Sequence, residues 1–338
     1  KHKNLGVKTF QAEDEIAAMT SVLGAAFTGK LAVTASSGPG IALKGEAIGL
    51  AVITELPLVI LNIQRGGPST GLPTKTEQSD LFQAMYGRNG ECPCVVMAAS
   101  SPSDCFISAI EASRIAMEHM IPVILLSDGY IANGSEPWKI PDVSKIPDIK
   151  TNFVKPNTDD FKPYKHDKKT LSRGWAIPGT EGLEHRIGGL EKENISGNVS
   201  YDPDNHHSMT LQRQEKVNII SNFIPNLDIY GEDSGELLVL SWGGVYGSVK
   251  SAVKKSQELG LSVSHAHLKY INPFPKNLGD ILLKFNQILI PELNLGQLLT
   301  IIRSKYLVDA QGFNKIAGKP FSSQEILDKI KSMIGNDK

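Results

Sequence analysis

The sequence predicts an α/β protein built on a doubly wound, mostly parallel sheet. Three observations carry this. Apolar strand-like runs alternate with helical stretches through residues 6–130. The runs are continuous rather than alternating, as in Leu58–Ile63, which is the pattern of strands covered on both faces. A Ser- and Gly-rich turn, Ser36-Ser37-Gly38-Pro39-Gly40, joins one such strand directly to a helix. Alternation of this kind implies right-handed βαβ crossovers.

In order, Val7–Phe10 is expected as a short strand and Ala12–Thr28 as a helix whose first turn carries Glu13, Asp14 and Glu15. Leu31–Ala35 reads as a strand, Ile41–Glu55 as a helix, Leu58–Ile63 as a buried strand and Glu77–Tyr86 as a short helix. Cys94–Ala98 is a strand; Ser101-Pro102 then supplies a cap and a first-turn proline for a helix running to about Met120, and Pro122–Leu126 is the next strand. From Asn133 to Ser234 periodicity fades, apart from a helical stretch near Met209–Phe223. Strand–helix alternation returns with Leu237–Ser241, Val245–Leu259, Ser262–Leu268, Gln287–Pro291, Leu295–Ser304 and Ser323–Ile334. The expected organisation is a first domain over 1–135, an irregular connecting segment over 136–235 and a smaller α/β domain over 236–338.

Bulk properties narrow the function. The 338 residues suffice for about two domains with their own cores. With 35 basic and 36 acidic residues interspersed, there is no electrostatic footprint for nucleic acid. No apolar run reaches the roughly 18–20 residues of a membrane span. Cys92, Cys94 and Cys105 are too few for a disulfide framework or a cluster site, which points to a reducing, cytoplasmic setting and places any redox centre on another chain. The opening Lys1–Phe10 lacks an initiator Met, so a fragment of a longer polypeptide is expected.

The motif richest in chemistry is Gln64-Arg65-Gly66-Gly67-Pro68-Ser69-Thr70-Gly71. In open parallel sheets ligands bind at the carboxyl ends of strands. A guanidinium there offers a rigid fork for a carboxylate or phosphate; a lone strand-end Arg more commonly pairs with a structural acid. In the first helix, helix-dipole capping accounts for one or two of the three acids. The next charge after Glu15 is Lys30, and Ile16–Gly29 is apolar or small on every face, which predicts burial all round. An acid at the mouth of such a helix would tend to hold its proton.

Other motifs weigh less. Trp242-Gly243-Gly244-Val245-Tyr246-Gly247 resembles half a dinucleotide fingerprint, but the following strand ends His265-Ala266-His267-Leu268-Lys269 with no ribose-binding acid. His265 and His267 share a strand face and are read as structural. Ser127-Asp128-Gly129 with Asn152 falls near a magnesium–diphosphate signature, but lacks its first Gly and is rejected as a metal site. Tyr201–His207 reads as a polar turn.

Taken together, Gln11–Ala18, Ser36–Gly40 and Gln64–Lys75 resemble the α subunit of 2-oxoacid:ferredoxin oxidoreductases, the 2-oxoglutarate type in particular. Glu181–Gly189, Pro291–Leu298 and Asn314–Phe321 fit the same family, so the resemblance spans nearly the whole chain. It implies a thiamine-diphosphate-binding-type sheet (a pyrimidine domain) followed by a smaller transketolase C-terminal-like α/β domain. It implies CoA-dependent oxidative decarboxylation of a 2-oxoacid, giving acyl-CoA, carbon dioxide and electrons for ferredoxin. Glu15 would contact the aminopyrimidine of thiamine diphosphate and favour its imino tautomer; Ser37 and Gly38 would also line the cofactor. Arg65 would bind the substrate carboxylate, with Gly66, Gly67, Ser69 and Thr70 around it. Magnesium and an iron–sulfur cluster would belong to a β subunit, making a dimer of heterodimers the expected assembly. The family's Tyr-Pro-Ile-Thr-Pro motif would lie upstream of Lys1, so this chain would supply half an active site and not turn over alone. Pyruvate, branched-chain or indolepyruvate specificity, or a non-catalytic assembly subunit on the same fold, are the alternatives.

Overall fold

The computed structural model describes residues 3–335. Its first half runs α1 (Glu15–Phe27), β1 (Val33–Ser36), α2 (Gly38–Leu43), α3 (Gly45–Thr54), β2 (Leu58–Gln64), α4 (Leu81–Tyr86), β3 (Val95–Ala98), α5 (Asp104–His119), β4 (Pro122–Asp128) and α6 (Gly129–Asn133). The second runs α7 (Pro203–Ile219), β5 (Ile229–Tyr230), β6 (Gly235–Trp242), α8 (Tyr246–Glu258), β7 (Val263–Leu268), β8 (Tyr270–Asn272), α9 (Leu278–Leu282), β9 (Phe285–Glu292), α10 (Gln297–Tyr306), β10 (Ala310–Asn314) and α11 (Ser323–Ile334).

Two five-stranded sheets result, ordered β1-β2-β4-β3-β8 and β10-β9-β6-β7-β5. Each is parallel except for one edge strand: β8 runs antiparallel to β3, and β5 antiparallel to β7. β4 is buried at every residue, as a strand covered on both faces requires. One apolar core joins both sheets, with Ile60, Val96 and Leu126 of the first in the same cluster as Leu238, Leu240 and Ile290 of the second. Among the described residues no helix is long and apolar enough to cross a membrane.

Three sequence expectations are corrected. Val7–Phe10 forms no strand: Val7 and Phe10 are exposed, and no neighbouring strand takes up their backbone groups. The expected Ile41–Glu55 helix is two helices meeting at Lys44, whose side chain turns inward instead of outward. Helix α1 is not covered all round; only Met19, Leu23 and Ala26 are buried, while Ile16 and Phe27 stand 49% and 40% exposed. Its small residues leave the outer side flat, and no Cβ contact would meet Gly24 within 4 Å.

Residues 150–200 are ordered by isolated bridges, among them Phe153 with Trp175 and Tyr164 with Ile195. They fasten to the C-terminal end of α3. Arg173 Nη2 donates to Thr54 O (3.1 Å), and Glu55, buried and at φ +51°, takes His166 Nε2 at 2.8 Å and Lys216 Nζ on its two oxygens. Burial alone would raise the Glu55 carboxyl, but Lys216, His166 and Arg173 together hold it well below the usual range.

Candidate active site

β1 and β2 pair in register, Ser36 opposite Asn62, so the Ser36–Gly40 turn and the Arg65 loop leave the same edge of the sheet side by side. Asp14, not Glu15, caps α1: its Oδ1 accepts the Ala17 N–H at 2.7 Å. Glu15 therefore keeps a half-buried carboxylate with no hydrogen bond among the described residues. Its Cγ lies against Gly40, where a Cβ would stand 2.7 Å from Glu15 Cγ and 2.0 Å from Ser36 Oγ. Only glycine fits there.

Lys44 was not singled out from sequence. It is 1% exposed, and its Nζ donates to Thr34 Oγ1 at 2.8 Å. Thr34 and Ser36 share one face of β1, and Gly40 and Lys44 lie four residues apart, so the ammonium lies one step below Glu15. Burial lowers its pKa, and the charge of Glu15 opposes that shift.

Arg65 directly follows β2, half-buried, with no ion pair among the described residues and with its Nε buried and unpartnered. Gly66 closes the loop by donating to Lys75 O (3.0 Å) and accepting from Leu72 N (2.8 Å). Burial raises the pKa of the Glu77 carboxyl, and the nearby backbone N–H groups of Gly67 and Gly318 oppose that shift. Ser69, at φ +55°, and Thr70 stand exposed at the loop tip and make no side-chain hydrogen bond among the described residues. Ser37 occupies the cap position of α2 without a side-chain capping bond. A Cβ on Gly38 would lie 2.8 Å from both oxygens of Asp80, and Asn62 Nδ2 donates to one of them at 3.1 Å. Glu15, Gly38, Asp80 and Arg65 thus belong to one edge, with Ser69 and Thr70 exposed on the loop that leaves it. Two further buried acceptors near this edge, Asn62 Oδ1 and Gln83 Oε1, are unpartnered.

The second sheet fixes the return of the loop. Gln78 is fully buried; its Nε2 donates to Trp242 O (2.7 Å), its Oε1 accepts from Leu293 N (2.8 Å), and its main chain exchanges bonds with Leu293 O and Asn294 Nδ2. Gln297 donates to Ser79 O (2.9 Å) and accepts from Phe82 N (2.8 Å). Asp128 accepts from Thr76 Oγ1, Tyr130 N, Ile131 N and Gly244 N, and its pKa is raised by burial. Two of the three glycines of the Trp242–Gly247 motif follow from this packing: a Cβ on Gly243 would meet Gln78 Nε2 at 2.9 Å, and one on Gly244 would meet Asp128 Oδ2 at 2.4 Å. His265 Nε2 and His267 Nδ1 flank Ser241 Oγ at 2.7 and 2.8 Å, and burial keeps both imidazoles below their ordinary pKa. In Tyr201–His207, Asp202 caps α7, and His206 Nδ1 lies 2.7 Å from Glu191.

The fold is of the transketolase architecture; a split-gene transketolase superposes with a TM-score of 0.52 over 96% of this chain and 82% of its own, at 10% identity. A family model described as pyruvate flavodoxin/ferredoxin oxidoreductase, thiamine diphosphate-binding, matches residues 1–201, and the chain belongs to that family. A 2-oxoglutarate oxidoreductase subunit KorA of Mycobacterium tuberculosis is 56% identical over 96% of this chain and 50% of its own length. A 2-oxoglutarate synthase subunit KorA of Methanothermobacter thermautotrophicus is 31% identical over 96% of this chain and 86% of its own. The 2-oxoglutarate:ferredoxin oxidoreductase of Magnetococcus marinus, solved with 2-oxoglutarate, coenzyme A and succinyl-CoA bound, superposes with a TM-score of 0.94 at 33% identity, over 98% of this chain and 58% of its own. The chain thus spans about half the length of the first of these relatives.

Proposed function

We propose that this chain is the pyrimidine-binding part of a 2-oxoglutarate:ferredoxin oxidoreductase, which converts a 2-oxoacid and coenzyme A to acyl-CoA and carbon dioxide and passes two electrons to ferredoxin. In this reading residues 1–135 form the pyrimidine-type domain, 136–235 strap it, and 236–338 form the transketolase C-terminal-like domain. The observation that carries it is Arg65, a strand-end guanidinium with no ion pair among the described residues, at the sheet edge that also carries the Ser36–Gly40 turn and a Glu15 carboxylate left free by Asp14.

The residues fit the cofactor. Gly38 and Gly40 let Asp80 and Glu15 close onto the turn, and the unpartnered oxygens of Asn62 and Gln83 can accept from an exocyclic amine. Glu15 would hold a proton at the ring nitrogen of thiamine diphosphate, and Ser37 and Gly38 would line its flank. When bound, the cofactor supplies the electron sink for decarboxylation. Arg65 orients the substrate carboxylate by two-point, charge-assisted bonds. The loop from Gly67 to Lys75 is exposed, which supports completion of the site by a partner subunit carrying the diphosphate–magnesium half and an iron–sulfur cluster. The uncovered face of α1 suits such a partner, in a cytoplasmic dimer of heterodimers.

The test is kinetic, on the complete complex with a panel of 2-oxoacids. Arg65→Ala should cost about 2–4 kcal/mol in kcat/KM for 2-oxoglutarate, and Glu15→Gln should weaken thiamine diphosphate binding by calorimetry. An Arg65→Ala complex within about twofold of wild type overturns the reading.

A further inference from the structure

Two acceptors compete for one proton at Ser79. Its Oγ lies 2.9 Å from Arg65 O and 2.8 Å from Asp80 Oδ1. A hydroxyl has a single proton to give. Both contacts become full two-centre bonds when Asp80 carries a proton of its own and donates it to Ser79 Oγ, freeing the hydroxyl proton for the Arg65 carbonyl; with Asp80 ionised, one proton is shared between two acceptors. The other Asp80 oxygen accepts from Asn62 Nδ2 at 3.1 Å, so the carboxyl is fixed at both ends. It also presses on the Gly38 backbone, where the absent side chain makes room for it.

The charged groups around Asp80 are few. Arg65 and Glu77, on its own loop, act on it or are acted on by it. The groups that face it from β2 and α2, Asn62 and Gly38, are neutral, as is Gln297, which reaches the Ser79 carbonyl from α10. Burial raises the Asp80 carboxyl, outweighing the bonds from Ser79 and Asn62 and the charge of Arg65. Arg65 nevertheless forms no ion pair with it within 4 Å, and its Nε stays without a partner.

We propose that Asp80 is a positioning residue for Arg65: carrying a proton, it fastens the Arg65 backbone through Ser79 and leaves the guanidinium charge uncompensated for an anionic ligand. Ionised, Asp80 cancels that charge and releases the Ser79 proton from the Arg65 carbonyl, so anion binding weakens. This rests on the reading of Arg65 as the carboxylate-binding residue. Its consequence is linkage: an anion held at Arg65 favours the protonated form of Asp80, so binding of a 2-oxoacid draws a proton from solution.

The experiment is titration of the complete complex with 2-oxoglutarate in two buffers of different ionisation enthalpy, with KM measured across the pH range in which the complex is stable. Wild type should take up a fraction of a proton per site in the range where Asp80 ionises, and its KM should rise about tenfold with pH through that range. Asp80→Asn imitates the protonated acid, its amide donating to Ser79 and its oxygen accepting from Asn62. It should take up no proton and hold KM flat at the low-pH value of wild type, which a packing role alone would not produce. Wild type without proton uptake, or Asp80→Asn with uptake and a rising KM, overturns the proposal; the first needs no variant to assemble. Arg65→Ala separates the premises: if it leaves KM unchanged, the anion site is elsewhere and the reading of Arg65 fails, whatever Asp80 does.

Discussion

Gln78 offers the sharpest test of how the two sheets are held to the Arg65 loop. Truncation to Ala removes the donor that serves the Trp242 carbonyl and the acceptor that serves the Leu293 N–H, and both partners are buried. At about 1–3 kcal/mol for each orphaned group, the hydrogen bonds alone come to about 2–6 kcal/mol. The vacated volume adds about 1–2 kcal/mol. Since whole domains are stable by about 5–15 kcal/mol, urea unfolding followed by tryptophan fluorescence will register the change. Trp242 itself lies at the contact. Hydrogen exchange should rise in residues 66–80 and 293–298 and stay level in β4. Gln78→Glu is the discriminating partner variant. A protonated Glu restores a donor for Trp242 O, whereas a carboxylate sets two acceptors face to face, so its stability should fall as pH rises while that of Gln78→Ala does not. A Gln78→Ala protein within about 1 kcal/mol of wild type, with unchanged exchange in the loop, would refute the argument.

Glu55→Gln should destabilise by about 3–5 kcal/mol, because Lys216 and His166 lose their shared buried counter-charge; the urea midpoint measures this, and faster proteolysis within residues 150–200 should accompany it. His119 supplies a pH dependence. Burial pushes its imidazole down to about 4 from 6.5. Between those values the unfolded chain binds the proton and the folded one does not, so its contribution is complete above about pH 6.5 and is lost as pH falls toward about 4, a span worth about 3 kcal/mol. His119→Gln should flatten that limb of the stability curve, and an unaltered limb would exclude the assignment.

The alternation of strands and helices was legible because buried parallel strands leave continuous apolar runs, and most boundaries fall within a few residues of expectation. Val7–Phe10 misled because an apolar pattern does not say whether a neighbouring strand exists to pair with it. β5, β8 and β10 went unread for the opposite reason: at two to five residues their identity comes from the sheet they join. Glu15, Gly38 and Arg65 could be marked as candidates because each sits at a strand or helix boundary, while their roles came from the family resemblance and remain for the kinetic test. Asp80, Gln78, Glu77 and Lys44 could not be marked this way. In sequence they look like solvent-facing polar residues at helix starts, and only tertiary packing makes Thr76, Glu77 and Gln78 three consecutive buried polar positions. Gly243 and Gly244 were noticed, but the groups they accommodate, Gln78 and Asp128, lie more than a hundred residues away.

The edge strand β8 bears on how the chain is made. β3 obtains its outer neighbour only when Tyr270–Asn272 arrives, and the Asn272 amide that seals the edge donates to Cys94 O across 178 residues. Closing so long a loop costs little more entropy than closing a shorter one, so the pairing is affordable once both ends exist. During synthesis, however, β3 waits as an open edge, the kind of surface that recruits foreign strands. A polypeptide cut between the two sheets would keep that edge open permanently. The first sheet is therefore not a separable module: expressed alone, without β8, it should aggregate through the open β3 edge.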